Sequence, residues 1–462
     1  MSESLLEAGT AREIIEKMRR VAAPGQHCLD AGALRLLAGL TAELVAATRA
    51  QAGAEHERFL GIRPRALTLP DDELGRALAA STVLVTGGTG CIGSALLAEL
   101  TRRGAGRVVS VSRGVTQAWP RVAATEYRAA DIRDAATLGA IVAEVRPDVI
   151  FHVAAQRDPG LAEAEVHRTI TTNVFGTRNV LAAARAAGTP QVVYASTGKA
   201  LRPYSPETYT ASKRAAEWLV ASGGGLLTSA SRFTHVVDNS IVYQRLLAWA
   251  APATGEERPD AVIRLHDPDI SFYVQSARES AQLLLAAYLG ARPGEFRVHA
   301  ISDLGLPVTL LDLALGVLAS TGAATPLYFS GYDAGYERVP FPGLYDPMTA
   351  GDVSPLLNAY EAADMTGSPS AMVDAGRLRF AAGERLPAQV AALEAECGRT
   401  RDARPLTGRL ADLSWSLLDS ALAAAPRRAL ERSAAQARRY RDTMIPNHRR
   451  MLAAIERLIT AC

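Results

Sequence analysis

Thr82-Val83-Leu84-Val85-Thr86 runs directly into Gly87-Gly88-Thr89-Gly90-Cys91-Ile92-Gly93. The first five residues form a short apolar, β-branched run, and the pattern from Ser94 to Arg103 is helical. A glycine triplet alone is weak evidence; set between a strand and a helix, it is specific for dinucleotide binding. Gly87 permits the tight turn, Gly90 lets the backbone approach a pyrophosphate, and Gly93 lets the helix pack closely on the strand. The helix N-terminus then presents unpaired N–H groups to the phosphates.

Outward from this stretch, strands and helices alternate. Arg107–Ser112 reads as a strand, as does a short run near Tyr127. Helix Ala135–Glu144 leads into strand Asp148–Val153, and helix Val166–Ala187 into strand Gln191–Ala195. Such alternation predicts an α/β fold of the Rossmann type, a doubly wound parallel sheet. Residues 1–80 carry apolar residues at helical spacing, for example Leu34, Leu37, Leu40, Leu44 and Val45, and read as an N-terminal helical extension. Strand signals fade from about Met348, and residues 346–462 read as a C-terminal helical extension. The Rossmann domain spans 81–345, with its substrate-binding part at about 230–345.

The 462 residues exceed one typical domain of roughly 100–200 residues. Lys plus Arg number 50 and Asp plus Glu 48, a balance that gives no case for nucleic acid or a membrane surface as partner. The basic helical face of Arg427, Arg428, Arg438, Arg439 and Arg441 lacks interleaved aromatics and reads as solvated. Cys28, Cys91, Cys397 and Cys462 are far apart, which excludes a closely spaced metal knuckle and points to cytoplasmic thiols. No metal site is expected. Met1–Ala11 does not read as a signal peptide, and no run reaches the ~18 apolar residues that span a bilayer.

Only Lys17, Lys199 and Lys213 are lysines. Arginine serves elsewhere as the generic cation, so a retained lysine points to a task that includes losing a proton. Tyr209 and Lys213 are four residues apart, on one face of a helix. An ammonium beside a phenol lowers its pKa, which makes Tyr209 a candidate acid/base. Thr197, at the preceding strand end, is placed to bond the same substrate oxygen. The second strand ends in Ser112-Arg113, without the acidic residue that binds both ribose hydroxyls. A hydroxyl followed by a guanidinium suits a 2′-phosphate, so NADP is expected over NAD.

Together these residues resemble the extended short-chain dehydrogenase/reductases, and most closely their polysaccharide-biosynthesis branch, which contains the inverting UDP-N-acetylglucosamine 4,6-dehydratases. The resemblance covers roughly residues 81–345. It rests on Thr86–Gly93, Phe151-His152-Val153-Ala154-Ala155, Thr172–Thr177, Ser196-Thr197-Gly198-Lys199-Ala200, Tyr209–Lys213 and Arg232-Phe233-Thr234-His235-Val236. It implies catalytic roles for Thr197, Lys199, Tyr209 and Lys213. It places cofactor contacts at Gly87, Thr89, Gly90, Cys91, Ile92, Gly93, Ser112, Arg113, Asp131, Ile132, Ala154, Ala155, Asn173, Tyr209 and Lys213. The substrate is expected to be a sugar or polyol, either free or nucleotide-linked, and the chain a homo-oligomer.

Three departures matter. The branch reads S-T-D-K where this chain reads Ser196-Thr197-Gly198-Lys199, so the acid that protonates a leaving hydroxyl is lost and the base is kept. That favours epimerisation over elimination, with simple oxidation as a further outcome. The segment from Lys199 to Tyr209 is two residues longer, and its Glu207 is either a replacement acid or a solvent-facing loop residue. Two substrate-binding arginines of the family are also missing, at Ile270–Tyr273 and Asp333–Glu337, with Arg278, Arg297 and Arg338 as candidate substitutes. A cofactor-binding scaffold without catalysis is the alternative class.

Overall fold

The structure, a computed structural model, describes residues 9–26, 28–114, 119–202, 204–205, 207–250, 262–332, 353–363, 365 and 370–461. The chain divides into two compact units, each built from separated stretches. One comprises the described residues of Met1–Arg65, His235–Ser276 and Leu304–Val339; the other those of Ala66–Thr234, Ala277–Asp303 and Pro340–Cys462. These units do not follow three consecutive segments.

The larger unit holds an eight-stranded sheet. Its strands are β1 Thr82–Thr86, β2 Arg107–Ser112, β3 Thr125–Ala129, β4 Val149–His152, β5 Gln191–Ala195, β6 Leu227–Ser231, β7 Arg297–Ile301 and β8 Val373–Arg377. Their spatial order is β8-β7-β6-β5-β4-β1-β2-β3. The first seven are parallel; β8 is antiparallel to β7, with Ile301 opposite Val373 and Arg297 opposite Arg377. β1 lies between β2 and β4, so the strand order reverses there. In open α/β sheets, the crevice at such a reversal is the ligand site. Val83, Leu84 and Val85 are fully buried, as are Val149, Ile150 and Phe151, which is why these strands read as continuous apolar runs.

β8 lies within the stretch expected to be wholly helical. Its sequence, Val373-Asp374-Ala375-Gly376-Arg377, is poor in strand formers, and the ladder to β7 supplies what local propensity lacks. Helices Arg385–Arg399, Ala403–Ala423, Arg427–Arg438 and Pro446–Ala461 follow it. The expected helix Val166–Ala187 is interrupted by a π-helical stretch, Thr171–Gly176. Such bulges concentrate at functional sites.

The smaller unit explains the N-terminal helices. Ile14, Ile15 and Met18 of Gly9–Val21 and Leu37, Leu44 and Phe59 of Ala31–Leu60 share one core with Leu246, Val308, Leu311, Leu315 and Phe329. A Cβ at Gly316 would lie 2.3 Å from the Ala52 carbonyl, so the helices Leu310–Thr321 and Ala31–Leu60 touch backbone to backbone there. The described residues of 9–65 therefore contribute to this unit's core. By length and composition Ala31–Leu60 is long and apolar enough to cross a bilayer, contrary to the sequence expectation. Arg35 and Glu43 break the apolar run when it is read residue by residue, while the mean over the helix remains apolar.

Candidate active site

The Gly87–Gly93 turn follows β1 as expected. Gly87 has φ +77°, and a Cβ there would stand 2.8 Å from the Ala154 backbone. A Cβ at Gly93 would lie 2.2 Å from the Gly87 carbonyl, so helix Cys91–Arg102 rests directly on the turn. Gly90 differs: its Cβ position meets only the Gly87 carbonyl, at 3.4 Å. Gly90 is also the N-cap of the helix and offers no side-chain acceptor to the first N–H groups. This is a helix N-terminus without a side-chain cap and with room beside the backbone at Gly90, and it fits a dinucleotide pyrophosphate. Cys91 is buried within it.

The rest of the expected cofactor set divides. Ser112 is half-buried at the end of β2, and Arg113 beside it is exposed. Ala154 and Ala155 follow β4 and are half-buried. Asp131 is gripped by Arg133, whose guanidinium lies 2.6 Å away and holds the carboxyl below its usual range. Ile132 is buried; a Cβ at Gly176 would stand 2.7 Å from its methyl group. Asn173 is buried, and its side chain is committed within the protein. It accepts from the Gln156 amide at 2.8 Å and donates to the Gln156 carbonyl at 3.1 Å and the Ser212 hydroxyl at 3.0 Å. Asn173 thus ties the loop after β4 to the helix that carries Tyr209.

Thr197, Lys199, Tyr209 and Lys213 all lie beyond the C-terminal end of β5 or on helix Thr208–Ala221. Tyr209 is buried, and burial pushes its phenol above the usual value while a hydrogen bond with Thr197 and the charge of Arg157 pull it down. Lys213 was expected to do that work. Instead its amine donates to the Ala195 carbonyl at 2.7 Å and sits 4.2 Å from the centre of the Tyr194 ring. Burial lowers the Lys213 pKa to about 7, against the opposing pull of Glu217. Glu163 was not foreseen: its carboxylate accepts from the amide and hydroxyl of Thr208 and so caps the Tyr209 helix.

Glu207 is not a solvent-facing residue. It is 5% exposed, and one oxygen accepts from Lys199 Nζ at 3.2 Å and from Thr210 Oγ1 at 2.6 Å. Gly198, where the resemblance expects Asp, packs against the C-terminal segment: a Cβ would lie 2.8 Å from Leu356 Cδ2 and 3.3 Å from the Phe233 carbonyl. Gly198→Asp is therefore expected to lower stability by about 1–3 kcal/mol, the range for overpacking. Leu356→Ala in the same chain should recover part of that loss, as read by urea unfolding. Equal stability of Gly198→Asp and the unmutated chain would contradict the packing described.

The candidate substitute arginines are engaged elsewhere. Arg278 pairs with Glu99 at 3.1 Å, and Arg297, which opens β7, pairs with Glu295 at 2.8 Å. Arg338 and the stretch Asp333–Glu337 lie outside the described residues. Ser271–Phe272, in the smaller unit, forms a short ribbon with Val308–Thr309. Among the described residues no cluster of His, Cys, Asp or Glu could hold a metal ion.

Residues 83–328 match the family described as "Polysaccharide biosynthesis protein". The chain belongs to this family. Its similarity to the probable polysaccharide biosynthesis protein EpsC of Bacillus subtilis is 26% identity over 61% of this chain and 48% of the relative. With the capsular polysaccharide biosynthesis protein CapD of Staphylococcus aureus it is 26% over 58% of this chain and 45% of the relative. The chain thus spans about half the length of these relatives. Among solved structures, Pen from Bacillus thuringiensis superposes with a TM-score of 0.52 at 20% identity, over 65% of this chain and 87% of that one. That likeness supports the fold, and the chain is an extended short-chain dehydrogenase/reductase of the polysaccharide-biosynthesis branch.

Proposed function

We propose that the chain is an NADP-dependent oxidoreductase of the sugar epimerase/dehydratase type, acting on a nucleotide-linked sugar. The observation that carries this reading is the buried Tyr209, hydrogen-bonded to Thr197 and grouped with Lys199 and Lys213 at the strand ends that also bear the glycine cradle. Some relatives are named for such chemistry. One is a dTDP-glucose 4,6-dehydratase of Neisseria meningitidis, 37% identical over 22% of this chain and 31% of its own length.

When bound, NADP supplies a hydride acceptor and donor. The Gly87–Gly93 backbone would hold its pyrophosphate and Lys213 its nicotinamide ribose. Ser112 and Arg113 would meet the 2′-phosphate, since no acidic residue stands at the end of β2. Tyr209 takes the proton of the substrate hydroxyl, with Thr197 orienting the same oxygen. The ketone so formed acidifies its neighbouring C–H bond. Lys199 takes that proton: burial lowers its pKa, with Glu207 acting against the shift, which brings a neutral amine within reach. Return of the proton to the opposite face gives an epimer; departure of a hydroxyl one carbon further gives an alkene. Among the described residues Cys28, Cys91 and Cys397 are in no disulfide, which favours a cytoplasmic site of action.

Two measurements test this reading. NADP+ should bind more tightly than NAD+, and Arg113→Ala should narrow the gap by about tenfold, the worth of one charge-assisted hydrogen bond. Equal affinities in titration of the unmutated chain would remove the 2′-phosphate assignment. Incubation with NADP+ and UDP-N-acetylglucosamine, UDP-glucose or dTDP-glucose in heavy water should give transient nicotinamide reduction. It should also place deuterium at the carbon beside the oxidised one. Lys199→Arg should stop the exchange, because a guanidinium stays protonated. Reduction without deuterium uptake would leave a simple dehydrogenase.

A further inference from the structure

Lys199 and Glu207 form a buried pair of opposite charge beside Tyr209, and the pair is incomplete. Glu207 Oε2 is occupied by Lys199 Nζ at 3.2 Å and Thr210 Oγ1 at 2.6 Å. Glu207 Oε1 is buried and, among the described residues, accepts no hydrogen bond, with the Arg202 guanidinium 3.5 Å away. Glu163 also acts on Lys199 through its charge, and Glu207 itself acts on Tyr209. A buried carboxylate oxygen without a donor is costly unless something supplies one. The carboxylate cannot be spared as mere surface charge, because its residue is 5% exposed.

The loop is also held in place from outside. Tyr204 stacks on Trp415 with ring centres 3.8 Å apart, and Arg450 lies 3.7 Å over the other aromatic partner, Trp415. Ser205 exchanges hydrogen bonds with Ser414, and its hydroxyl accepts from the Glu207 amide at 3.1 Å. Helix Ala403–Ala423 thus holds Ser205, two residues before Glu207, and Leu356 packs against Gly198.

The geometry points to Glu207 as the acid that protonates a leaving hydroxyl, working on the same side of the substrate as the base Lys199. This inference rests on the oxidation proposed above. In the ketone, Lys199 takes the proton from the carbon beside the carbonyl. The electron pair of that C–H bond becomes a C=C bond, and the C–O bond one carbon further breaks. The departing oxygen takes the proton of Glu207 and leaves as water. Lys199 has then gained one proton and Glu207 has lost one. That is the ion pair at rest: burial pushes the Glu207 pKa up, but Lys199 and Arg202 more than offset it and keep the carboxyl ionised, so the step starts from the neutral form reached when a proton passes from Lys199 to Glu207 across their 3.2 Å contact. No further oxidant or reductant is needed. Elimination is thereby open to this chain without an acid at position 198.

The experiment uses the full chain, NADP+ and UDP-N-acetylglucosamine, UDP-glucose and dTDP-glucose. Transient nicotinamide absorbance follows oxidation, and mass spectrometry follows a product lighter by one water. In Glu207→Gln the ratio of water loss to oxidation should fall by about 10²–10⁴-fold, the usual worth of a general acid, and Glu207→Asp should recover part of it. A second readout needs no turnover. Lysine labelled with ¹³C at Cε gives signals from only Lys17, Lys199 and Lys213. Glu207→Gln should move the Lys199 titration to lower pH and leave the Lys213 signal in place, which also reports an intact fold. An unchanged ratio in Glu207→Gln, or an unmoved Lys199 titration, overturns the assignment. Oxidation without water loss in the unmutated chain overturns this inference alone; no oxidation of any of the three sugars overturns the proposed function with it.

Discussion

Replacing Tyr209 by Phe is expected to lower the rate of nicotinamide reduction by about 10²–10⁴-fold and to leave cofactor affinity nearly unchanged, because in the proposed function the lost group is the general base rather than a binding surface. The ring itself is buried on helix Thr208–Ala221, and Phe keeps its packing. Only the hydroxyl and its hydrogen bond with Thr197 disappear. The pH profile carries the sign of the same argument. Burial raises the Tyr209 pKa, so the phenol is neutral at rest and the rate should climb as pH rises toward its titration. Thr197 and the charge of Arg157 oppose that rise. Arg157→Gln should therefore push the rising limb to higher pH, while Phe at 209 should abolish the limb. A Phe variant with near-normal turnover would take Tyr209 out of the chemistry.

The sheet was legible because its signals are local. Each of β1, β2, β4 and β5 is a short, largely apolar run bounded by helix or turn, whereas the polar β3 shows little beyond Tyr127, and the glycine turn sits where β1 ends. What could not be read is what depends on distant partners. β8 owes its form to the ladder with β7, some 70 residues earlier in sequence, and Val373-Asp374-Ala375-Gly376-Arg377 carries little intrinsic preference for it. The N-terminal helices were recognised as helices, but which core they join is decided by Leu311, Leu315 and Phe329, far along the chain. In the site, the residue types Thr197, Tyr209, Lys199 and Lys213 were visible from spacing, whereas their pairing was not. Lys213 meets the Ala195 carbonyl, Asn173 meets Gln156 and Ser212, and Glu207 is buried by a loop that Trp415 and Ser414 hold. The least legible feature is the burial of two arginines, since the type is almost always exposed unless paired.

Those arginines carry the second large effect. Arg232→Met is expected to cost about 3–5 kcal/mol, the penalty for breaking a buried ion pair by removing one partner. Arg232 and Glu217 are fully buried and meet through two contacts of 2.9 Å each. On its other edge Arg232 meets Glu361 at 2.6 and 2.8 Å. Arg214 adds a bond to Glu217 at 2.9 Å and one to the Tyr360 hydroxyl at 2.8 Å. Two cations and two carboxylates cancel, and removing Arg232 leaves both carboxylates to share Arg214. Arg232→Lys should restore little, because one ammonium cannot meet two carboxylates edge-on as a planar guanidinium does. Burial pushes Glu217 up, but Arg232 and Arg214 more than offset it and hold the carboxyl below its ordinary 4.5. The stability it contributes is present above that value and is lost as pH falls through the lowered one, so the unmutated chain should unfold in acid as this pair protonates. Helix Thr208–Ala221 carries Arg214 and Glu217 together with Tyr209 and Lys213, while Tyr360 and Glu361 come from the C-terminal segment. The quartet therefore fastens helix Thr208–Ala221 to residues beyond the middle of the chain. Urea unfolding of Arg232→Met and Arg232→Lys, read beside the oxidation rate of each, measures that fastening. A loss below about 1 kcal/mol in Arg232→Met would place its worth among surface ion pairs and refute it.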